Sequence, residues 1–118
     1  MDEMPSLRDA LDEHCGFHDA VIESFQLLPE AAVARLGIDD VHANFRGLPG
    51  YEGERIPAEL VVGFREMVLG VDMYGPGLTI YDCEIEANED GETLIVKLAP
   101  SGTLRFAVRT FELIRARR

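Results

Sequence analysis

The chain reads as a mainly β protein: a single antiparallel sandwich or partly open barrel, preceded by a short N-terminal helix. Three observations carry this. Six runs alternate apolar and polar residues with the two-residue period of a strand. Gly, Pro, Asn and Asp punctuate the gaps between them. The 118 residues, 47% of them apolar, suffice for one core. No low-complexity linker or internal repeat divides the chain, so residues 1–118 are read as one domain.

Ser6 to His14 is the expected helix. Ser6 and Asp9 resemble a capping box, Leu7, Ala10 and Leu11 form one apolar stripe, and Gly16 stops it. Val21-Ile22 and Phe25 to Leu28 suit an extended segment that turns at Pro29-Glu30. Ala31 to Phe45 reads as the return arm of a hairpin, with an irregularity at Gly37. Arg46 to Ala58, rich in Gly and Pro, is a loop.

In the third run Leu60, Val62 and Phe64 share a face. The phase flips after Arg65-Glu66, so that Met67, Leu69, Val71 and Met73 follow, which predicts a bulge or corner. In the fourth, Leu78, Ile80, Asp82, Glu84 and Glu86 are expected on one face, with Thr79, Tyr81, Cys83, Ile85 and Ala87 on the other. Asn88 to Gly91 is a hairpin turn. Leu94, Val96 and Leu98 define the fifth run, and Pro100-Ser101-Gly102 turns the chain again. The last run holds Leu104, Phe106 and Val108, and a second slip near Arg109-Thr110 returns Phe111 and Leu113 to the core.

Charge excludes more than it assigns. There are 22 acids against 11 bases, a net charge of −11. Arg115, Arg117 and Arg118 supply three of those bases, leaving residues 1–114 with 22 acids and 8 bases. Nucleic acid is a poor partner for such a chain, because its phosphates must be met by Lys or Arg. A basic protein is the better expected partner. The longest apolar run, Leu60 to Phe64, is far below the ~18 residues of a membrane helix, so no membrane association is expected. The opening Met1-Asp2-Glu3-Met4 lacks the basic region of a secretory leader, and Cys15 and Cys83 are few enough for a reducing compartment. The expected location is cytoplasmic.

Two clusters of polar chemistry stand out. The first is His14-Cys15-Gly16-Phe17-His18-Asp19. Its spacings of three and four residues would suit a metal on a helix, but Gly16 interrupts the geometry, and His42 and Cys83 make a weak second ligand pair. Cys15 with His18 would lack the cationic setting that activates a thiolate. No catalytic, metal-binding or cofactor-binding residue is assigned, and no cofactor is expected. His18 and Asp19 remain as a functional motif or as a structural one, capping backbone groups where the helix hands over to the first strand. The second cluster is the ladder Asp82, Glu84 and Glu86, extended by Glu89, Asp90 and Glu92. It could seat a basic partner, or it could be a solvated face or a charge-guarded edge. Tyr51, Tyr74 and Tyr81 could rim an interface, and Val61, Val68 and Tyr74 could pair two copies into a homo-oligomer.

The short helix, the motif Phe17-His18-Asp19-Ala20 and the corner strand Val61-Val62-Gly63-Phe64-Arg65-Glu66-Met67 resemble a loosely defined group. Its members are small, mostly uncharacterised bacterial β-rich proteins with an N-terminal aromatic-His-Asp motif. Some of this kind resemble the immunity proteins of bacterial toxin systems. The resemblance implies a non-enzymatic acidic binding protein, an immunity-type inhibitor of a cationic toxin, and supplies no catalytic residue. The alternative is a small-ligand-binding β-barrel or minor enzyme with a site near His18-Asp19.

Overall fold

The computed structural model describes residues 6–45, 48–50, 53, 55–70 and 78–115. Helix α1 (Leu7–Glu13) leads through a 3-10 turn (Cys15–Phe17) into β1 (Val21–Leu28) and β2 (Val33–Ile38). A second 3-10 turn (Ala43–Phe45) precedes β3 (Ala58–Gly70). Strands β4 (Leu78–Asn88), β5 (Gly91–Ala99) and β6 (Thr103–Arg115) complete the described fold.

The strands run antiparallel in the order β1-β2-β3-β6-β5-β4. The sheet curls until β1 meets β4, but that seam holds only Val21 opposite Thr79 and Ile22 opposite Leu78. The fold is therefore the expected antiparallel β architecture with one short helix, a barrel shut along a brief seam. Long β3 and β6 form its spine, paired from Ala58–Arg115 to Gly70–Thr103.

Period-two patterning fills the interior. Leu36, Ile38, Leu60, Val62, Ile80, Leu94, Val96 and Phe106 are all essentially inaccessible. Each such side chain contributes roughly 1.5–3 kcal/mol by leaving water. Leu7, Ala10 and Leu11 turn the apolar stripe of α1 onto the same core. Ser6 caps the helix, its hydroxyl accepting the Asp9 N–H at 3.1 Å.

Both anticipated slips exist, and they face each other. The β3–β6 register skips Arg65 on one strand and Arg109 on the other. Two bulges side by side bend the pair sharply while Phe64, Met67, Val108 and Phe111 still reach the core.

Three expectations need correction. The run Ala31–Phe45 is not one strand: β2 ends at Ile38, and Asp39-Asp40 open a turn instead. The irregularity expected at Gly37 falls opposite it, where the pairs Ile22–Ile38 and Ser24–Gly37 leave Glu23 unmatched. The third concerns β4. Ile80 and the acids do not share a face, because Tyr81 is skipped in the β4–β5 register. After that bulge Cys83 is buried, and Asp82 lies opposite the outward Lys97.

Candidate functional site

The bulge at Tyr81 builds the surface of greatest chemical interest. A bulged residue is released from the pleat and can be re-aimed. Tyr81 is 60% exposed, and its ring lies 5.7 Å from that of His18. The backbone fixes this meeting. The Asp19 N–H donates to the Ile80 carbonyl, and the Ile80 N–H donates to the Ala20 carbonyl, both at 2.8 Å. The Phe17-His18-Asp19-Ala20 motif is thus pinned to β4 immediately before the bulge.

To reach that position the chain passes through the left-handed region at Gly16 (φ 65°), Phe17 (φ 54°) and Asp19 (φ 72°). Residues that carry a Cβ enter that region at a cost, least so Asp and Asn, and glycine enters it freely. Gly16 is required for a second reason. A Cβ on it would lie 2.9 Å from a carboxylate oxygen of Asp82 and 3.3 Å from the Cys83 amide. Asp82 therefore sits directly over the turn.

His18 and Asp19 do not cap α1. His14 is the helix C-cap, its N–H donating to Ala10. The His18 Nδ1 and an Asp19 carboxylate oxygen are 3.1 Å apart, but without the alignment of a hydrogen bond. Both side chains are substantially exposed. Within the motif Phe17 and Ala20 are buried in the core, while the Asp19 carboxylate is exposed and the His18 ring is half-exposed with its Nδ1 covered.

The acidic ladder is where the sequence put it, on the outside, but partly neutralised. Glu84 accepts from the Lys97 ammonium at 3.0 Å, and Glu86 from the Arg105 guanidinium at 3.2 Å. The hydrogen bond to Glu84 and its charge push the Lys97 pKa upward. Asp82 has no ion pair among the described residues, and neither have Glu89 and Asp90 at the adjoining hairpin tip. The two sequence clusters, more than sixty positions apart, form one continuous surface of Tyr81, His18, Asp19 and Asp82, with Glu84 and Glu86 beyond.

A different arrangement closes the nearby end of the barrel. His14 is fully buried, stacked on Phe17 at 5.2 Å and tilted against His42 at 5.6 Å. Its Nε2 lies 2.8 Å from the Arg115 guanidinium, which also holds Glu13 at 3.3 Å. Burial lowers the His14 pKa, overcoming the opposite pull of Glu13, and Arg115 and His42 lower it further. The ring is neutral, with Nε2 accepting from Arg115 and a buried Nδ1 lacking a hydrogen-bond partner. The acid–histidine–cysteine stretch therefore divides: His14 serves the interior, His18 the surface.

Sequence reading missed Asp39 and Asp40. Asp39 accepts the Val21 N–H at 2.8 Å, and Asp40, 1% exposed, accepts those of His42 (2.9 Å) and Ile56 (3.1 Å). The signal was two acids enclosed by the apolar Ile38 and Val41.

No group of three His, Cys, Asp or Glu side chains suited to a metal occurs among the described residues. Cys83 is a buried free thiol whose pKa is pushed far up by burial and by Asp82, the reverse of an activated nucleophile. The Cys15 side chain, Tyr51 and Tyr74 lie outside the described residues. Of the positions considered for self-association, Val61 is half-buried and Val68 exposed. No described helix is long and apolar enough to cross a membrane. No family model, curated protein or solved structure matches this chain.

Proposed function

We propose that the chain is a non-enzymatic binding protein that docks a basic protein on the surface around Tyr81, as an immunity-type inhibitor of a cationic toxin would. The observation that supports it is the convergence just described: an exposed tyrosine, held out by a bulge, beside His18 and among Asp19, Asp82, Glu84 and Glu86. Tyrosine at the centre of a polar surface is the common anchor of protein interfaces. Its ring face and the neighbouring carboxylates attract the same thing, a Lys or Arg side chain. The net charge of −11 supplies long-range steering toward such a partner, and away from nucleic acid. The reading places the protein in the cytoplasm.

The alternative, a ligand-enclosing barrel or minor enzyme, has less support. Close-packed side chains occupy the barrel interior, and among the described residues no Ser, Thr or Cys side chain is hydrogen-bonded to His18. The test is affinity capture of the native partner at low salt with wild type and with Tyr81→Ala. Wild type should retain a basic protein that salt releases, and the variant should not. Retention by both, or by neither, sinks the proposal.

A further inference from the structure

A cleft of about 340 Å³ opens beside this surface, between α1 and β4, lined by Arg8, Leu11, Asp12, Gly16, Asp82, Cys83 and Ile85. We infer that it receives the side chain of an arginine from the partner. The inference rests on the docking reading above and specifies the residue recognised.

The cleft has two kinds of wall. Leu11 and Cys83, both nearly buried, and the half-buried Ile85 form an apolar floor. Asp12 from the helix, exposed, and Asp82 from the strand, half-buried, line it too, and neither has an ion pair among the described residues. An arginine matches both, since its methylene stem covers apolar surface while its guanidinium stays among carboxylates and water. Gly16 closes the cleft's end by lying directly on β4, which its lack of a side chain permits: a Cβ there would press on Asp82 and the Cys83 backbone. Arg8, the one cation among the described lining residues, is drawn off to Glu92 at 3.4 Å on the far hairpin. It remains close enough in sequence to Asp12, four residues on, to compete for the same acid.

The test is an amide NMR titration of the whole chain with Nα-acetyl-arginine amide, using the citrulline analogue as a neutral isostere. Arginine amide should shift the Gly16 and Cys83 resonances with saturation, and citrulline amide should not. Asp12→Asn combined with Asp82→Asn should weaken binding roughly tenfold, the loss of one exposed and one half-buried ion pair. Arg8→Gln should tighten it. Asp12→Asn alone, at an exposed helix position, gives a readout that does not depend on the fold around Asp82. Saturable shifts confined to Tyr81 and His18 would overturn the cleft and leave the docking surface standing. Linear shifts spread over every carboxylate, or equal shifts with citrulline, would overturn the cleft as well, and the Tyr81→Ala capture would then decide the docking reading separately.

Discussion

Replacing Asp40 with Ala should cost far more stability than its position between two strands suggests. One carboxylate oxygen accepts two backbone N–H groups, from His42 and from Ile56. These lie on the turn after β2 and on the approach to β3, so the side chain ties the two ends of the longest connection in the described fold. With Ala, both donors lose this partner in a site where Asp40 itself is 1% exposed. Each unsatisfied buried donor costs about 1–3 kcal/mol, which gives a loss of about 2–6 kcal/mol for the two. Against a typical total of about 5–15 kcal/mol, that is a large share. At about 4 °C per kcal/mol for a domain of this size, the melting temperature should fall by about 8–24 °C. Urea denaturation measures it directly. Asp40→Asn, which keeps the accepting oxygen, should lose much less. Asp39→Ala removes a single acceptor, from Val21 at a half-buried site, and should cost about 1 kcal/mol. An Asp40→Ala protein within 1 kcal/mol of wild type would refute this account of the connection.

Phe106→Ala should cost about 3–5 kcal/mol, because Phe106 is fully buried with its ring 6.2 Å from Phe64; urea unfolding would show it. Ser6→Ala should cost about 1 kcal/mol through the lost cap, read as a lower melting temperature. The His14 pKa lies below its ordinary 6.5 in the folded state, so the unfolded chain binds the extra proton first. Stability should therefore fall as pH drops below about 6.5, and His14→Phe should flatten that part of the urea-midpoint profile. Cys83 should resist iodoacetamide in the native protein at pH 8 and react once unfolded, as peptide mapping would report.

The strands were legible because their burial is one-sided, so alternation in residue type tracks alternation in space. The bulges at Arg65 and Arg109 were legible for the same reason: the apolar parity changes across them. The bulge at Tyr81 left an equally clear trace that is easy to pass over. Leu78 and Ile80 share parity with Asp82, Glu84 and Glu86, and one face cannot be core for the first pair and solvent for the rest. Only a slip between Ile80 and Asp82 reconciles them. The end of β2 was hidden because Val41 is as apolar and as buried as a strand residue, while the deciding groups are the Asp39 and Asp40 carboxylates. Each candidate cluster was visible in the sequence, but their meeting was not. That juxtaposition depends on backbone pairing between Asp19-Ala20 and Ile80, which side-chain pattern does not encode.

The brief seam between β1 and β4 has a consequence for how binding and breathing are linked. Two residue pairs and the flanking Asp19–Ile80–Ala20 bonds are all that join the first strand to the fourth, whereas β3 and β6 are zipped along their length. Excursions that part the wall should begin there, and the amides of Asp19 and Ile80 should exchange with solvent before those of Val62 and Phe106. His18 stands on one lip of the seam and Tyr81 on the other. A partner gripping both acts as a suture. Its free energy of association is then also free energy of closure, and the slowing of exchange at Ile80 would report occupancy without any label on the partner.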